Sequence, residues 1–434
     1  MLVLPFVIFL LLIALGPIFF AKWWHKYYKH TAVFFTVFII VISLILDFSH
    51  LHLFIHTAFE YISFITLLAS LYFATAGIVI KTDENGTPLA NSILLLIGAI
   101  LASVIGTTGA AMILIRPFIN MNKNRLLPYQ KVFFIFIVCN AGGMLSPIGD
   151  PPLFMGFLKG IPFFWISLKT FPFWLLTNGL LIAVFYYFDR NKNPIQFDHN
   201  PGILNLKLEG SSNVLFLFLT LVLLFVDPNI PGMDWVPYIP YHELKLSFIR
   251  EISLIILCWA SYRYTDKALM KKNDFTTEPI KEVAFIFMAL FFTMSPALIL
   301  IAKWSSLPSL KGYITNDFLY LFTGICSSVL DNAPSYLTAL SASMGSVGLD
   351  INLPKDIMSM IESKVFSQVV VISIASVLFG ACTYLGNAPN FMVKAVAEQK
   401  GVKMPSFFEY IIRYTLPILV PVLVANWVLI KILY

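Results

Sequence analysis

Apolar positions dominate this chain in runs long enough to cross a lipid bilayer, and polar positions gather in the short stretches between them. A spanning helix needs about 20 apolar residues. Such runs lie near 2–21, 31–47, 60–80, 131–158, 162–188, 212–227, 249–264, 281–302, 364–396 and 411–433. They predict about ten complete spans. Two further stretches, 90–119 and 317–344, are apolar but interrupted at mid-length. The interruptions are Gly106-Thr107-Thr108-Gly109 and Asp331-Asn332-Ala333-Pro334. Each leaves two limbs of about 10–15 residues, too short to cross, so a re-entrant hairpin is expected at both. The first run, 2–21, has no charge ahead of it and no small-residue cleavage site, and reads as a first span rather than a leader.

Composition sharpens the class. Residues of the AVILMFWYC set make up 59% of the 434 positions and charged residues only 12%. A soluble fold of this size could not cover such a chain with polar surface, which excludes a cytosolic enzyme, a disordered protein and a nucleic-acid binder. The fold class expected is an all-α polytopic membrane protein, with the lipid bilayer as its surroundings. The four cysteines sit in apolar runs at no metal spacing, and no phosphate-binding loop is present. No nucleophile and base stand together, so no enzyme activity is expected.

The net charge of +6 matters through its placement. Lys and Arg gather in 22–30, 120–131, 189–211, 263–281 and 397–413, whereas 48–59 has none. If 90–119 and 317–344 re-enter without crossing, all five basic segments fall on one side. That side is the cytoplasm by the positive-inside rule, and both termini face outward. The loop 228–248, with four prolines and Trp235, Tyr238 and Tyr241, then forms an outer interfacial cap.

Two internal matches follow. Ser103–Gly109 aligns with Ser328–Pro334, and Ser146–Met155 with Thr383–Met392. The first hairpin enters from inside and the second from outside, so the halves form an inverted repeat, a transporter architecture. The expected organisation is N-terminal spans (1–59), a first repeat (60–188, hairpin 90–119, broken helix 131–158), a linker with connecting spans (189–280) and a second repeat (281–434, hairpin 317–344, broken helix 364–396).

The chemistry is expected at the breaks. The segments 140–152 and 380–390 are rich in Gly and Pro, which free backbone carbonyls that a midplane ion can partner. Asp150 and Asp331 are carboxylates inside apolar stretches, either ion- and proton-exchanging groups or helix caps. Asn140, Ser146, Thr107, Thr108, Asn332, Thr383, Asn387 and Asn390 offer neutral oxygens suited to a hard cation such as Na+. Arg116 and Lys394 follow the breaks and would bind an anion, replace a cation, or snorkel. Glu60 and Glu282 open related spans in the two halves as accessory charges. His52, His56 and Glu60 share one helix face, read as interfacial polarity, a pH sensor or a metal site.

These residues resemble the ion transporter superfamily of NhaD-type sodium/proton antiporters, citrate-type carriers and arsenite permeases. Asn140-Ala141-Gly142-Gly143 with Ser146-Pro147-Ile148-Gly149-Asp150 is closest to the NhaD-type pattern. Asp331-Asn332 resembles the acidic hairpin tip of antiporters and arsenite permeases, and Pro279–Ala284 that family's entry to the second half. The chain departs from the pattern at Gly106-Thr107-Thr108, where an Asp-Asn pair is often found. It also has Asn387 opposite Asp150 and lacks the Ser-Asn-Thr hairpin tips of dicarboxylate carriers. The resemblance implies a secondary transporter that exchanges cytoplasmic Na+ for external H+, with no cofactor beyond these ions. A cation-coupled carrier of citrate or another organic acid is the alternative, and an arsenite or oxyanion permease a third. It also implies a homodimer, an elevator-like motion and a place in the inner (plasma) membrane of a bacterium.

Overall fold

The computed structural model describes residues 2–82, 85–123, 127–191, 206–230, 232–241 and 244–434. Arg125 and Lys192 of the basic segments and Pro231 of the 228–248 loop lie outside the described residues. Helices account for nearly all regular structure. The N-terminal helices are α1 (Val3–Phe19), α2 (Ala21–Leu46) and α3 (His50–Ala76). The first hairpin is α4 (Pro88–Ile105) and α5 (Thr107–Met121). The first broken helix is α6 (Pro128–Ile137), a tight turn over Ala141–Leu145, and α7 (Pro151–Leu158). Then come α8 (Phe163–Asn191), α9 (Ser211–Leu223), α10 (Ile249–Tyr264), α11 (Lys267–Lys272), α12 (Glu278–Ser305) and α13 (Pro308–Lys311). The second half has its hairpin in α14 (Asn316–Val329) and α15 (Asn332–Ser346), followed by α16 (Pro354–Glu362). Its broken helix is α17 (Phe366–Phe379), a turn over Gly380–Cys382, and α18 (Ala388–Gln399). The chain closes with α19 (Phe407–Tyr410), a wide π-helical stretch over Ile411–Leu419 that contains Pro417, and α20 (Val420–Leu433).

Among the described residues, six helices are long and apolar enough to cross a bilayer unaided, or seven if the pair Pro354–Glu362 and Phe366–Cys382, bent by 103°, is one span. The sequence count of ten is larger for a physical reason. It includes α1, α9 and α10, which fall short of 18 residues, and the two broken helices, no limb of which reaches that length. One limb also differs from expectation. α4 has 18 residues and is long and apolar enough to cross by itself, whereas 90–119 was expected to hold two short limbs. It is nonetheless a hairpin limb, because α5 turns back and packs along it.

The breaks form where the residues dictate. Gly106 has φ +81°, a conformation that L side chains resist, and this ends α4. Prolines then open the half-helices: Pro151 and Pro152 begin α7, and Pro389 is the second residue of α18. In the first turn no backbone N–H is required, so proline costs nothing there and fixes the right φ.

The two faces of the molecule are separately knitted. β1 (Val79–Lys81) pairs antiparallel with β2 (Lys207–Glu209). Glu209 is gripped by Lys81 and by Lys272, the latter at 2.9 Å. Segments after α3, before α9 and around α11 thus share one face, where the basic loops were expected. On the opposite face β3 (Ile239–Tyr241) pairs with β4 (Leu244–Leu246), and His52 Nδ1 lies 2.8 Å from the Tyr241 hydroxyl.

Candidate functional site at the four helix breaks

Four half-helices, α5, α7, α15 and α18, begin at the breaks, and one carboxylate joins all four. Asp150 precedes α7 with extended backbone, and its side chain makes no capping bond to its own helix. It is turned instead toward the other three. The Thr107 hydroxyl, at the start of α5, donates to Oδ1 at 3.0 Å. The Asn387 amide, preceding α18, donates to the same oxygen at 3.0 Å. The Asn332 amide, at the start of α15, donates to Oδ2. Asp150 is buried, and no Lys or Arg is among these partners. Helix N-termini carry partial positive charge, so this is where a negative charge is best tolerated within the membrane.

The two halves use matching contacts. The Ser146 hydroxyl donates to Ser103 O of the first hairpin, and the Thr383 hydroxyl to Ser328 O of the second at 2.6 Å. Gly149 closes on Gly143, and Gly386 on Gly380. A Cβ on Gly149 would overlap the Gly143 carbonyl, and one on Gly386 would meet Gly380 O at 2.6 Å. Thr107 N also donates to Gly149 O at 2.9 Å, tying the hairpin tip to the break.

Not every expected oxygen faces Asp150. The amide of Asn140 reaches Asn390 Oδ1 at 2.8 Å, and its carbonyl oxygen lies 3.3 Å from Asn387 Nδ2. Asn390 donates to Gly380 O and Thr383 O at 2.8 and 2.9 Å. Thr108 is exposed and lines a cavity. Asp331 caps α15, accepting from Ala333 N at 3.2 Å, and lies within electrostatic reach of Asp150. Asn332 Oδ1, buried beside the carboxylate, has no hydrogen-bond partner among the described residues and is open to a cation.

The freed carbonyls have partners within the chain. An ion or neighbouring side chains could partner them, and in the structure side chains serve several. Ser103 and Trp174 donate to Gly142 O at 2.6 and 3.0 Å. Asn178 reaches Ala141 O at 3.4 Å, and Asn387 reaches Cys139 O at 3.0 Å. In the second half Tyr410 serves Ala381 O at 2.9 Å and Thr415 serves Cys382 O at 2.8 Å. An unpaired carbonyl in a membrane interior is costly, so the fold satisfies it permanently. Trp174, Asn178, Tyr410 and Thr415 were missed because nothing in the local sequence around them reveals a partner 29 to 37 residues away.

The accessory charges lie away from Asp150. Arg116 pairs with Asp274 at 3.0 Å, and the Lys394 ammonium stands 4.7 Å from the Tyr384 ring centre. Glu60 pairs with Lys159, and Glu282 is in electrostatic contact with His25. The face shared by His52, His56 and Glu60 is divided: His52 meets Tyr241, and His56 lies 3.7 Å from Glu60. Among the described residues no cluster of three metal-ligating side chains forms.

A cavity of about 100 Å³ leads to Asp150. Its walls are the hairpin tip Gly106–Gly109, Phe64 and Leu71 of α3, and Pro279, Ile280 and Val283 of α12. Among the described residues, Asp150 is the only charged side chain in its lining. Tyr72 and Pro279 carry its lining toward the end of α3 and the start of α12, on the side of the basic loops.

No curated protein shows a significant sequence match to this chain. A family model described as "putative citrate transport" matches residues 1–431. With a match over almost its whole length and several helices long and apolar enough to cross a membrane, the chain belongs to this citrate-transport family, CitMHS_2, and is a multi-pass secondary transporter.

Proposed function

We propose that this transporter exchanges cytoplasmic Na+ for external H+ at the Asp150 carboxylate, with Asp331 as a second acidic group nearby. One observation carries the reading. Converging helix N-termini make a seat for a negative charge, and the chain's own Asp150 already occupies it. What such a site still lacks is a proton or a small cation. A carboxylate cut off from water binds one or the other, because the bare charge is costly in hydrocarbon. Asn332 Oδ1 and the Thr107 and Thr108 hydroxyls supply neutral oxygens for a hard ion. Asn140, Ser146, Thr383, Asn387 and Asn390 hold the frame around it. The cavity agrees in size and charge: about 100 Å³ is small beside the 300–1,000 Å³ of organic-ligand sites, and it offers no cationic side chain to an organic acid.

The family description favours a second reading, in which a cation bound at Asp150 drives uptake of citrate or another organic acid. Proteoliposomes enclosing a pH dye separate the two. Proton movement triggered by Na+ alone, weakening as pH falls because protons compete for the same carboxylate, supports antiport. Na+ uptake that requires citrate supports the carrier and sinks the antiport reading.

A further inference from the structure

The outer end of α7 is fastened by a buried ion pair that has no contact with Asp150. Lys159, which follows α7, and Glu60 of α3 have side chains only 7% and 11% exposed. The Lys159 ammonium stands 2.9 Å from one Glu60 oxygen and 3.0 Å from the other. It also donates to Asn352 Oδ1 at 2.9 Å. Asn352 is itself held by Asp350, whose Oδ1 accepts from its backbone N at 2.9 Å and its side-chain amide at 3.2 Å. His56 closes the cluster, 3.7 Å from Glu60.

One ammonium therefore ties three segments: α3, α7 and the loop between α15 and α16. Two of them run directly from the exchange site. α7 starts beside Asp150, and α15 starts at Asn332, which donates to it. Lys159 gathers the far ends of both half-helices and pins them to α3. The cavity reaching Asp150 lies on the basic-loop side, whereas Lys159, after the crossing of α6 and α7, lies on the other.

We propose that Lys159 is a positioning residue of the transport cycle, an outer latch that must part from Glu60 and Asn352 before Asp150 meets the outer solution. The inference rests on the reading of Asp150 as the exchange site. Its physical basis is the cost of parting two charges in a dry interface. The pair is strong while water is excluded and becomes replaceable once water enters, which gives two discrete arrangements rather than a continuum.

Thr108, exposed in the cavity, serves as the reporter. Thr108→Cys is placed in a chain whose four native cysteines are replaced. A membrane-impermeant maleimide is then applied to inside-out and right-side-out vesicles. The parent is expected to label chiefly from the cytoplasmic side. The double variant Lys159→Met with Glu60→Gln leaves no unpaired buried charge and should label several-fold faster from outside. The swap Lys159→Glu with Glu60→Lys should restore the parent's sidedness. Outer labelling unchanged in the double variant, or a swap that behaves like it, overturns the latch. Should the double variant fail to insert, Asn352→Ala removes a single tie and is read by the same criterion. Labelling does not depend on which ion is carried, so failure of the antiport reading leaves this result interpretable, and the converse holds.

Discussion

Asn387 donates a hydrogen bond to Asp150 Oδ1 at 3.0 Å across a separation of 237 residues, and the two residues hold equivalent places in the two halves of the chain. Each precedes a half-helix with the same extended backbone, φ −146° at Asp150 and −153° at Asn387. The two copies of the repeat thus meet at this position. One copy carries the titratable acid and the other its amide counterpart, so the charge is single where strict symmetry would put two carboxylates in repulsion.

Asp150→Asn is expected to fold and insert but to lose Na+-driven proton flux, since the amide keeps the size and removes the titrating group. Asp331→Asn should retain more transport. Asp331 caps α15 through its side chain, and Asn caps nearly as well as Asp. Flux in proteoliposomes, normalised to inserted protein, tests both. Normal transport and a normal pH profile in Asp150→Asn would contradict the mechanism.

Ser146→Ala and Thr383→Val each leave a hairpin carbonyl, Ser103 O or Ser328 O, without its donor. Each should lower stability by about 1 kcal/mol. Thermal melting in detergent measures this. A fall in Na+ affinity with unchanged melting would instead make these hydroxyls ion ligands.

Gly386→Ala should destabilise by about 1–3 kcal/mol, the range for overpacking. The atoms a Cβ would strike, Ser327 O at 2.5 Å and Gly380 O at 2.6 Å, are backbone and cannot swing away. Gly179, within α8, has nothing within 4 Å of the same position. Gly179→Ala should therefore be neutral or stabilising by up to about 1 kcal/mol through helix propensity. Parallel melting curves distinguish the two, and equal shifts would contradict the packing argument.

Cysteines introduced at Lys123 and Ala268 should react with an impermeant reagent only from the cytoplasm, and one at Trp235 only from outside. All three positions are exposed. Labelling of Lys123→Cys and Ala268→Cys from opposite faces would break the inverted arrangement of the halves.

Much of this molecule was legible along the chain. Apolar runs mark the helices, because lipid demands that each span close its own hydrogen bonds. Gly106, Pro151, Pro152 and Pro389 mark the breaks, because backbone freedom and the missing N–H are properties of the residue itself. Asp150 stood out because a carboxylate in an apolar run has no local reason to be there. What the chain could not disclose was partnership. Sequence left Asp150 and Asp331 as equals, exchange group or cap. The fold turned the Asp150 side chain toward three other half-helices and set Asp331 to capping its own. Sequence left the break carbonyls open to an ion, and the fold closed them with Trp174, Asn178, Tyr410 and Thr415. Lys159 drew no notice at the end of an apolar run until the fold brought Glu60 to it across 99 positions. Periodicity and backbone conformation are decided by neighbours in sequence. Which polar groups satisfy one another is decided by the packing of segments as far as 250 residues apart, and that pairing exists only once the helices are assembled.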